Sequence, residues 1–154
     1  MESGSYIRLV LGRAAKAIER VDRASIAGTG LNLSDFAILE ALLHKGPLPI
    51  NHIGEKVLLT SGSMTAAANR LGKRGLVRRV QDASDARSFR LHLTAEGRRL
   101  IETAFSVHAR NLEQMAAVLD SEERSELVRL LKKIGHHAQC IGPGRSVGIR
   151  CRQA

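Results

Sequence analysis

The ten residues from Asp85 to Thr94 constrain the fold of this chain more than any other segment. Leu91 and Leu93 alternate as they would on one face of a β-strand, and residues 82–87 before them are of the small and polar types found in turns. Thr94 follows this strand directly and can cap the next helix. The pattern therefore predicts a β-hairpin whose return strand leads into a helix.

The predicted hairpin has an alternating first strand over residues 76–81, and Asp85 and Arg87 lie at its tip. A charged ribbon between helices in a basic protein is typical of a wing that enters a nucleic-acid groove. We expect Asp85 to be structural, because its carboxylate can bond turn amides or hold an arginine. We expect Arg87 to enter the narrow minor groove, where negative potential is focused.

Apolar residues recur at helical spacing on both sides of the hairpin. Ser34 and Ser61 are the predicted N-caps of two of these helices, and Gly75 is predicted to end the second. The predicted helices run over residues 6–25, from Ser34 to His44, from Pro49 or Ile50 to Val57, from Ser61 to Arg74 and from Thr94 to Leu119, and a last helix starts within residues 120–123. The predicted fold class is mainly α with a small antiparallel β-wing, a winged helix-turn-helix flanked by helices from both ends.

The composition fits a single domain with a helical core. The chain has 154 residues, of which 44% are hydrophobic, and it has no tryptophan. It contains no apolar run long enough for a membrane span and no typical secretory signal, so we expect a cytoplasmic protein. Cys140 and Cys151 both lie in the C-terminal tail, which leaves the core without a disulfide framework.

The net charge of +9 is concentrated around the predicted wing. Residues 70–99 contain nine basic and three acidic side chains, which is two thirds of the net charge in about a fifth of the chain. Such clustering is typical of proteins that bind a polyanion, and a solvated surface without a partner is the alternative.

The order of motifs resembles that of the MarR family of bacterial transcriptional regulators. The most specific part is the wing pattern Asp-x-Arg-x-x-x-Leu-x-Leu-Thr, which residues 85–94 fill without a gap. Residues 53–57, 61–65 and 70–77 support the resemblance, because they precede the wing in the family's order and spacing. The resemblance covers residues 6–138.

The resemblance implies one domain over residues 1–138. It would contain a winged helix DNA-binding lobe over residues 30–99 and dimerisation helices over 6–27 and 100–138. Residues 139–154 contain Gly-Pro-Gly and scattered arginines and are predicted to be a flexible tail.

The resemblance also implies a homodimer that binds a pseudo-palindromic operator in double-stranded DNA, usually as a repressor. In this family an anionic phenolic ligand or an oxidant often weakens DNA binding. Apolar stripes on the first, fifth and sixth predicted helices agree with a dimer, because a small winged lobe cannot cover them alone, and an intrachain bundle is the alternative. No cofactor is expected.

The fourth predicted helix has the side chains that a recognition helix needs. Small polar residues at its N-terminus suit close approach to a phosphate or a base acceptor, and asparagine and arginine farther along can bind adenine and guanine. A plain N-cap is the alternative for Ser61, and an exposed loop charge is the alternative for Arg87. The predicted DNA-binding residues are Ser61, Gly62, Ser63, Thr65, Ala66, Asn69, Arg70 and Arg87, with Arg78, Arg79 and Arg90 as neighbours of phosphates.

The resemblance implies an effector site between the dimerisation helices and the winged lobe, and four side chains are candidates for it. Each is also a common surface or packing residue, so a structural role is the alternative for all of them. The candidates are Arg8, Arg13, His44 and His108.

Metal and redox sensing are weaker alternatives. His44 and His108 with Glu40 suggest a metal, but neither His-x-x-x-His nor Cys-x-x-Cys occurs, so no metal site is predicted. Peroxide-sensing relatives use a cysteine near the N-terminus, and this chain has none before Cys140. A redox-responsive regulator that uses Cys140 and Cys151 is the remaining alternative of this kind.

Two other function classes compete with a specific regulator. A non-specific DNA-architectural protein would need the basic charge but not the ordered wing pattern. An enzyme is not expected, because the chain has no nucleophile elbow, P-loop or metal motif, and the glycine-rich residues 142–148 lack the P-loop ending. The sequence therefore predicts a sequence-specific, ligand-responsive DNA-binding regulator.

Overall fold

The computed structural model describes residues 2–82 and 88–141. These residues have the predicted fold class, mainly helical with one small antiparallel sheet. The chain divides into two compact units between Leu112 and Glu113. The elements are α1 (Gly4–Ile26), a 3-10 turn (Ala27–Thr29), α2 (Leu33–Lys45), β1 (Leu48–Pro49), α3 (Ile50–Lys56), α4 (Ser61–Lys73), β2 (Val77–Gln81), β3 (Phe89–Leu93), α5 (Ala95–Ala116) and α6 (Ser121–Ile141).

The sheet has the order β1-β3-β2 with both pairings antiparallel. Strands β2 and β3 are the predicted strands of the wing, whereas the predicted tip with Asp85 and Arg87 lies outside the described residues. Alternation does not predict β1, because two residues leave no period to recognise. Leu48 of β1 pairs with Leu91, which is fully buried, and Pro49 pairs with Arg90. The wing is therefore attached to the segment before α3 as well as to its own partner strand.

The core of the first unit lies between α2, α3, α4, α5 and the central strand β3. Its packing orients α4, which buries one apolar stripe and exposes the rest of its surface. The most deeply buried aliphatic side chains are Ile38, Leu39, Leu42, Ile53, Leu71, Leu91 and Ile101.

Two predicted N-caps are wrong by one or two residues. Helix α2 is capped by Asn32 rather than Ser34, since the amide of Asp35 donates to Asn32 Oδ1 at 2.8 Å. Helix α4 is capped by Thr60 rather than Ser61, since the amide of Ser63 donates to Thr60 Oγ1 at 3.3 Å. In both places the sequence offers two capping side chains within two residues of each other, and the pattern does not choose between them.

Other predicted ends are confirmed or moved by a few residues. Thr94 caps α5, because the amide of Gly97 donates to Thr94 Oγ1 at 3.0 Å. Gly75 follows α4 with a φ of 70°, as a glycine after a helix end does. Helix α5 ends at Ala116, before the predicted Leu119.

Helix α6 begins with a reciprocal cap. Asp120 Oδ1 accepts from the amides of Glu122 and Glu123 at 2.8 and 2.9 Å, and Glu123 Oε2 accepts from the amide of Asp120 at 3.0 Å. The helix continues to Ile141, beyond the boundary predicted at 138, and includes Cys140. Residues 142–154, with Cys151, lie outside the described part of the chain.

None of the described helices has by itself the length and apolar composition of a membrane span. One pair, Gly4–Thr29 with Leu33–Lys45, meets that test of length and composition jointly but is bent by 82°.

Gly97 is required where α5 begins. A Cβ at this position would overlap the carbonyl oxygen of Leu76, which also accepts the amide of Thr94 at 3.1 Å. We expect Gly97→Ala to lower the free energy of unfolding by about 2–3 kcal/mol, the usual cost of overpacking against a backbone that is held in place. Chemical denaturation measures this change.

Gly62→Ala is the matched control, because no atom lies within 4 Å of a Cβ built at Gly62 and this residue is exposed. It should unfold at the same denaturant concentration as the wild type or slightly above it. Equal stability of the two alanine variants would contradict the close approach of α5 to Leu76.

Candidate nucleic-acid interface

Helix α4 separates cleanly into a buried and an exposed face. Met64, Ala67, Ala68 and Leu71 are buried against the core. The structure brings the seven DNA-binding candidates on this helix together on its exposed surface, as the sequence predicts: Ser61, Gly62, Ser63, Thr65, Ala66, Asn69 and Arg70.

The first turn of α4 presents hydrogen-bond donors to solvent. Thr60 Oγ1 accepts from the amide of Ser63 and donates to Ser63 Oγ at 2.9 Å. Because Ser63 Oγ accepts this proton, its own hydrogen points elsewhere and is available to a ligand. The first backbone amides of a helix have no acceptor within the helix, and in α4 these include the amides of Ser61 and Gly62. This end of α4 therefore suits phosphate oxygens or base acceptors.

Arg70 is engaged by a buried carboxylate. Its Nε and Nη2 donate to Asp35 Oδ2 and Oδ1 at 2.8 and 2.6 Å. Asp35 lies on α2 and is only 2% exposed, whereas the Arg70 side chain is 44% exposed. The hydrogen bonds that Arg70 donates to Asp35 raise the pKa of Arg70. The pair joins α2 to α4. Of the guanidinium nitrogens of Arg70, Nη1 is the one that does not donate to Asp35.

Asn69 is oriented by the wing. Arg79 on β2 donates from Nη2 to Asn69 Oδ1 at 2.7 Å. Since a guanidinium has donors only, the amide oxygen of Asn69 must face Arg79, and the amide nitrogen is the atom that can donate outward. Asn69 is thus arranged as a donor, whereas a bidentate contact with adenine needs both its donor and its acceptor.

Arg90 and Arg78, also predicted to lie near phosphates, differ in their contacts with the rest of the protein. Arg90 donates to the buried Asp82 at 2.6 Å, so it partly serves to fasten the wing strands. Arg78 lies on the exposed side of β2, opposite His92. Burial, and then the charges of Arg78 and Arg90, lower the pKa of His92.

A groove runs between α3, the start of α4 and β3. Its walls include His52 and Glu55 of α3, Thr65 of α4 and Phe89 of β3. Phe89 is 46% exposed although it alternates in phase with the buried Leu91. Sequence reasoning predicted Thr65 but missed His52, Glu55 and Phe89. An unbroken alternation over 89, 91 and 93 gives no signal that one member faces solvent.

The four effector candidates do not lie together. His108 of α5 is buried and lines a pocket with residues of α1 and α2. His44 is exposed, and its ring meets Phe105 edge-on at 4.6 Å. Arg8 and Arg13 are exposed on α1 and are not among the residues that line this pocket. Nowhere in residues 2–82 and 88–141 do three His, Cys, Asp or Glu side chains form a metal-binding group.

Loss of Arg70 should destabilise the fold, because the buried carboxylate of Asp35 would then be uncompensated. We expect Arg70→Gln to lower the free energy of unfolding by about 2–3 kcal/mol, a value below that of a fully buried pair because Arg70 is partly exposed to solvent. Urea denaturation of this variant, of Asp35→Asn and of the double variant gives the coupling energy.

Arg78→Gln is the control for charge removal, because Arg78 is an exposed arginine of the neighbouring strand. It should change the stability by no more than about 0.5 kcal/mol. A loss in Arg70→Gln no larger than that in Arg78→Gln would show that the pair does not hold α2 and α4 together.

Comparison with known proteins identifies the family. A model described as MarR family matches residues 31–89. The uncharacterized HTH-type transcriptional regulator YkoM of Bacillus subtilis (strain 168) is 34% identical over 139 residues, 90% of each chain. The HTH-type transcriptional regulator MhqR of the same strain is 36% identical over 138 residues, 90% of this chain and 95% of the relative.

Solved structures have the same fold. A probable transcriptional regulator from Pseudomonas aeruginosa superposes with a TM-score of 0.74 at 28% identity, over 83% of this chain and 96% of that one. NadR in complex with 4-hydroxyphenylacetate superposes with a TM-score of 0.75 at 25% identity, over 87% of this chain and 95% of that one. The chain belongs to the MarR family, whose members are DNA-binding transcriptional regulators with a winged helix-turn-helix.

Proposed function

We propose that the protein is a homodimeric repressor that binds a pseudo-palindromic operator in the cytoplasm and releases it when a small ligand binds. The observation that carries the proposal is the exposed face of α4, where short side chains and outward donors lie opposite a buried apolar stripe and beside the wing. A helix of this form can enter the major groove without steric conflict.

In the proposed complex, α4 reads the major groove. The first-turn amides and Ser63 Oγ would bind a phosphate or a base acceptor, and Asn69 Nδ2 would donate to a purine N7 or another acceptor. Arg79 holds the Asn69 amide in the required orientation through its 2.7 Å hydrogen bond. Arg87 is proposed, from the sequence alone, as the minor-groove contact of the wing.

The dimer is supported by apolar surface that the chain leaves exposed. Helix α6 has no buried residue, and α1 has one, Ile26. Exposed apolar residues repeat at helical spacing on both: Tyr6, Ile7 and Val10 on α1, and Leu127, Leu130, Leu131 and Ile134 on α6. Burial of these faces in a two-fold dimer would set two copies of α4 about 34 Å apart, one turn of DNA.

A ligand-responsive repressor is supported by the complex of NadR with 4-hydroxyphenylacetate, a relative of this fold with a bound phenol. The pocket beside His108 is the candidate ligand site in this chain.

Selection of binding sites from random double-stranded DNA tests the proposed function. The protein should enrich a pseudo-palindromic site and bind it about 1,000-fold or more tightly than random DNA at the same salt concentration. Recovery of no common motif would instead indicate a non-specific architectural protein.

Asn69→Ala should lower the affinity for the selected site by about 10- to 100-fold, because one outward donor to a base is lost. The loss should be confined to one base pair in each half-site, which a repeated selection with the variant detects. Asn69→Asp keeps an acceptor for Arg79 but removes the donor, so it should bind at least as weakly. Unchanged affinity and base preference in Asn69→Ala would contradict the role of this residue.

Leu130→Glu should separate the dimer, because it introduces a charge into the exposed apolar face of α6. We expect a monomer in analytical ultracentrifugation and operator affinity reduced roughly 100-fold, since the two half-sites are no longer bound together. Circular dichroism establishes that the variant is folded.

Ser125→Glu adds the same charge to α6 at an exposed position off the Leu127–Leu130–Leu131 stripe. It should remain dimeric and bind the operator normally. A dimeric Leu130→Glu variant would exclude this face from the interface.

A further inference from the structure

The pocket beside His108 has an acidic lining that indicates which ligands it can accept. It lies in the first unit, where α1, α2 and α5 meet, and has a volume of about 490 Å³. Leu33 and Leu112 contribute apolar surface, and Phe36 meets the His108 ring edge-on at 4.7 Å. A cavity of this size and character suits a small aromatic molecule.

The charges in the lining are two carboxylates, Asp22 of α1 and Glu40 of α2. None of the described residues that line the pocket is a lysine or an arginine. The predicted basic candidates for binding an anionic phenol, Arg8 and Arg13, are not part of it. An anionic ligand would therefore meet like charge without a counterion, whereas a neutral or cationic ligand would meet complementary charge.

His108 is short of hydrogen-bond partners. Its Nδ1 is buried without a partner, and its Nε2 lies 3.9 Å from Asp22 Oδ1, beyond hydrogen-bond distance. A hydroxyl group placed between Nε2 and Asp22 could accept from the imidazole and donate to the carboxylate at ordinary distances. Such a hydroxyl would give Nε2 an acceptor, and Nδ1 would then be the ring nitrogen that carries no hydrogen.

We propose that this pocket binds a hydroxylated aromatic compound that carries no negative charge, with its hydroxyl between His108 and Asp22 and any amine or second hydroxyl toward Glu40. The proposal rests on the protein being a ligand-responsive regulator, and it assigns the ligand class of that regulator. It sets this chain apart from a relative that binds the anion 4-hydroxyphenylacetate.

Three probes with the same phenol ring test the proposal by isothermal titration calorimetry on the full chain without DNA. Tyramine is a cation, tyrosol is neutral and 4-hydroxyphenylacetate is an anion at neutral pH. Tyramine and tyrosol should bind at least about tenfold more tightly than 4-hydroxyphenylacetate, because only the anion faces like charge. Glu40→Gln should narrow the difference in affinity between tyramine and 4-hydroxyphenylacetate. The melting temperature of this variant should be close to that of the wild type.

Binding of 4-hydroxyphenylacetate as tight as that of tyramine would overturn the proposal, and so would the absence of binding by all three probes. If Glu40→Gln left the ratio of the tyramine and 4-hydroxyphenylacetate affinities unchanged, that result would also overturn the proposal. Because DNA is absent from this titration, these outcomes are independent of the site selection that tests operator binding. A protein that selects an operator but binds none of the probes would remain a regulator with another ligand.

Discussion

The pair between Asp35 and Arg70 is the interaction on which the placement of α4, the proposed DNA-reading helix, depends. The inward stripe of α4 includes two alanines, so apolar packing alone fixes its rotation weakly. A carboxylate that is 2% exposed and bound through both oxygens to one guanidinium adds a directional contact between α2 and α4. The residue that the sequence suggests as a base reader is thus first an anchor, and only its Nη1 is left to face DNA.

Helix α2 connects this anchor to the pocket. Asp35 holds Arg70, and the adjacent Ser34 and Phe36 line the pocket beside His108. A ligand in that pocket would act on the same turn of α2 that fixes α4, so differential binding to two positions of this turn could change operator affinity. The wing contributes in a similar way, because Arg79 aligns the amide of Asn69. The proposed DNA-reading surface of α4 is therefore oriented by contacts with α2 and with the wing.

The helix order, the wing strands and the exposed face of α4 follow from the sequence, because periodicity and capping residues are local signals. The pairs that orient the surface do not. Arg70 and Asp35 are far apart along the chain, and nothing at position 35 indicates that a carboxylate there is buried. In the sequence, His108 does not differ from the other polar residues of a long helix. Only the fold shows that it is buried beside Asp22. Local rules also leave open which of two neighbouring side chains, such as Thr60 and Ser61, caps a helix.

Helix α4 is proposed to read base acceptors in the major groove through its outward donors. Replacing the purines of the selected DNA site one at a time with 7-deazapurines removes the N7 acceptor and leaves base pairing intact. Anisotropy titration should show weakened binding at two clusters of positions about 34 Å apart along the DNA, one for each copy of α4. Affinity that is unchanged at every substituted position would contradict major-groove reading by this helix.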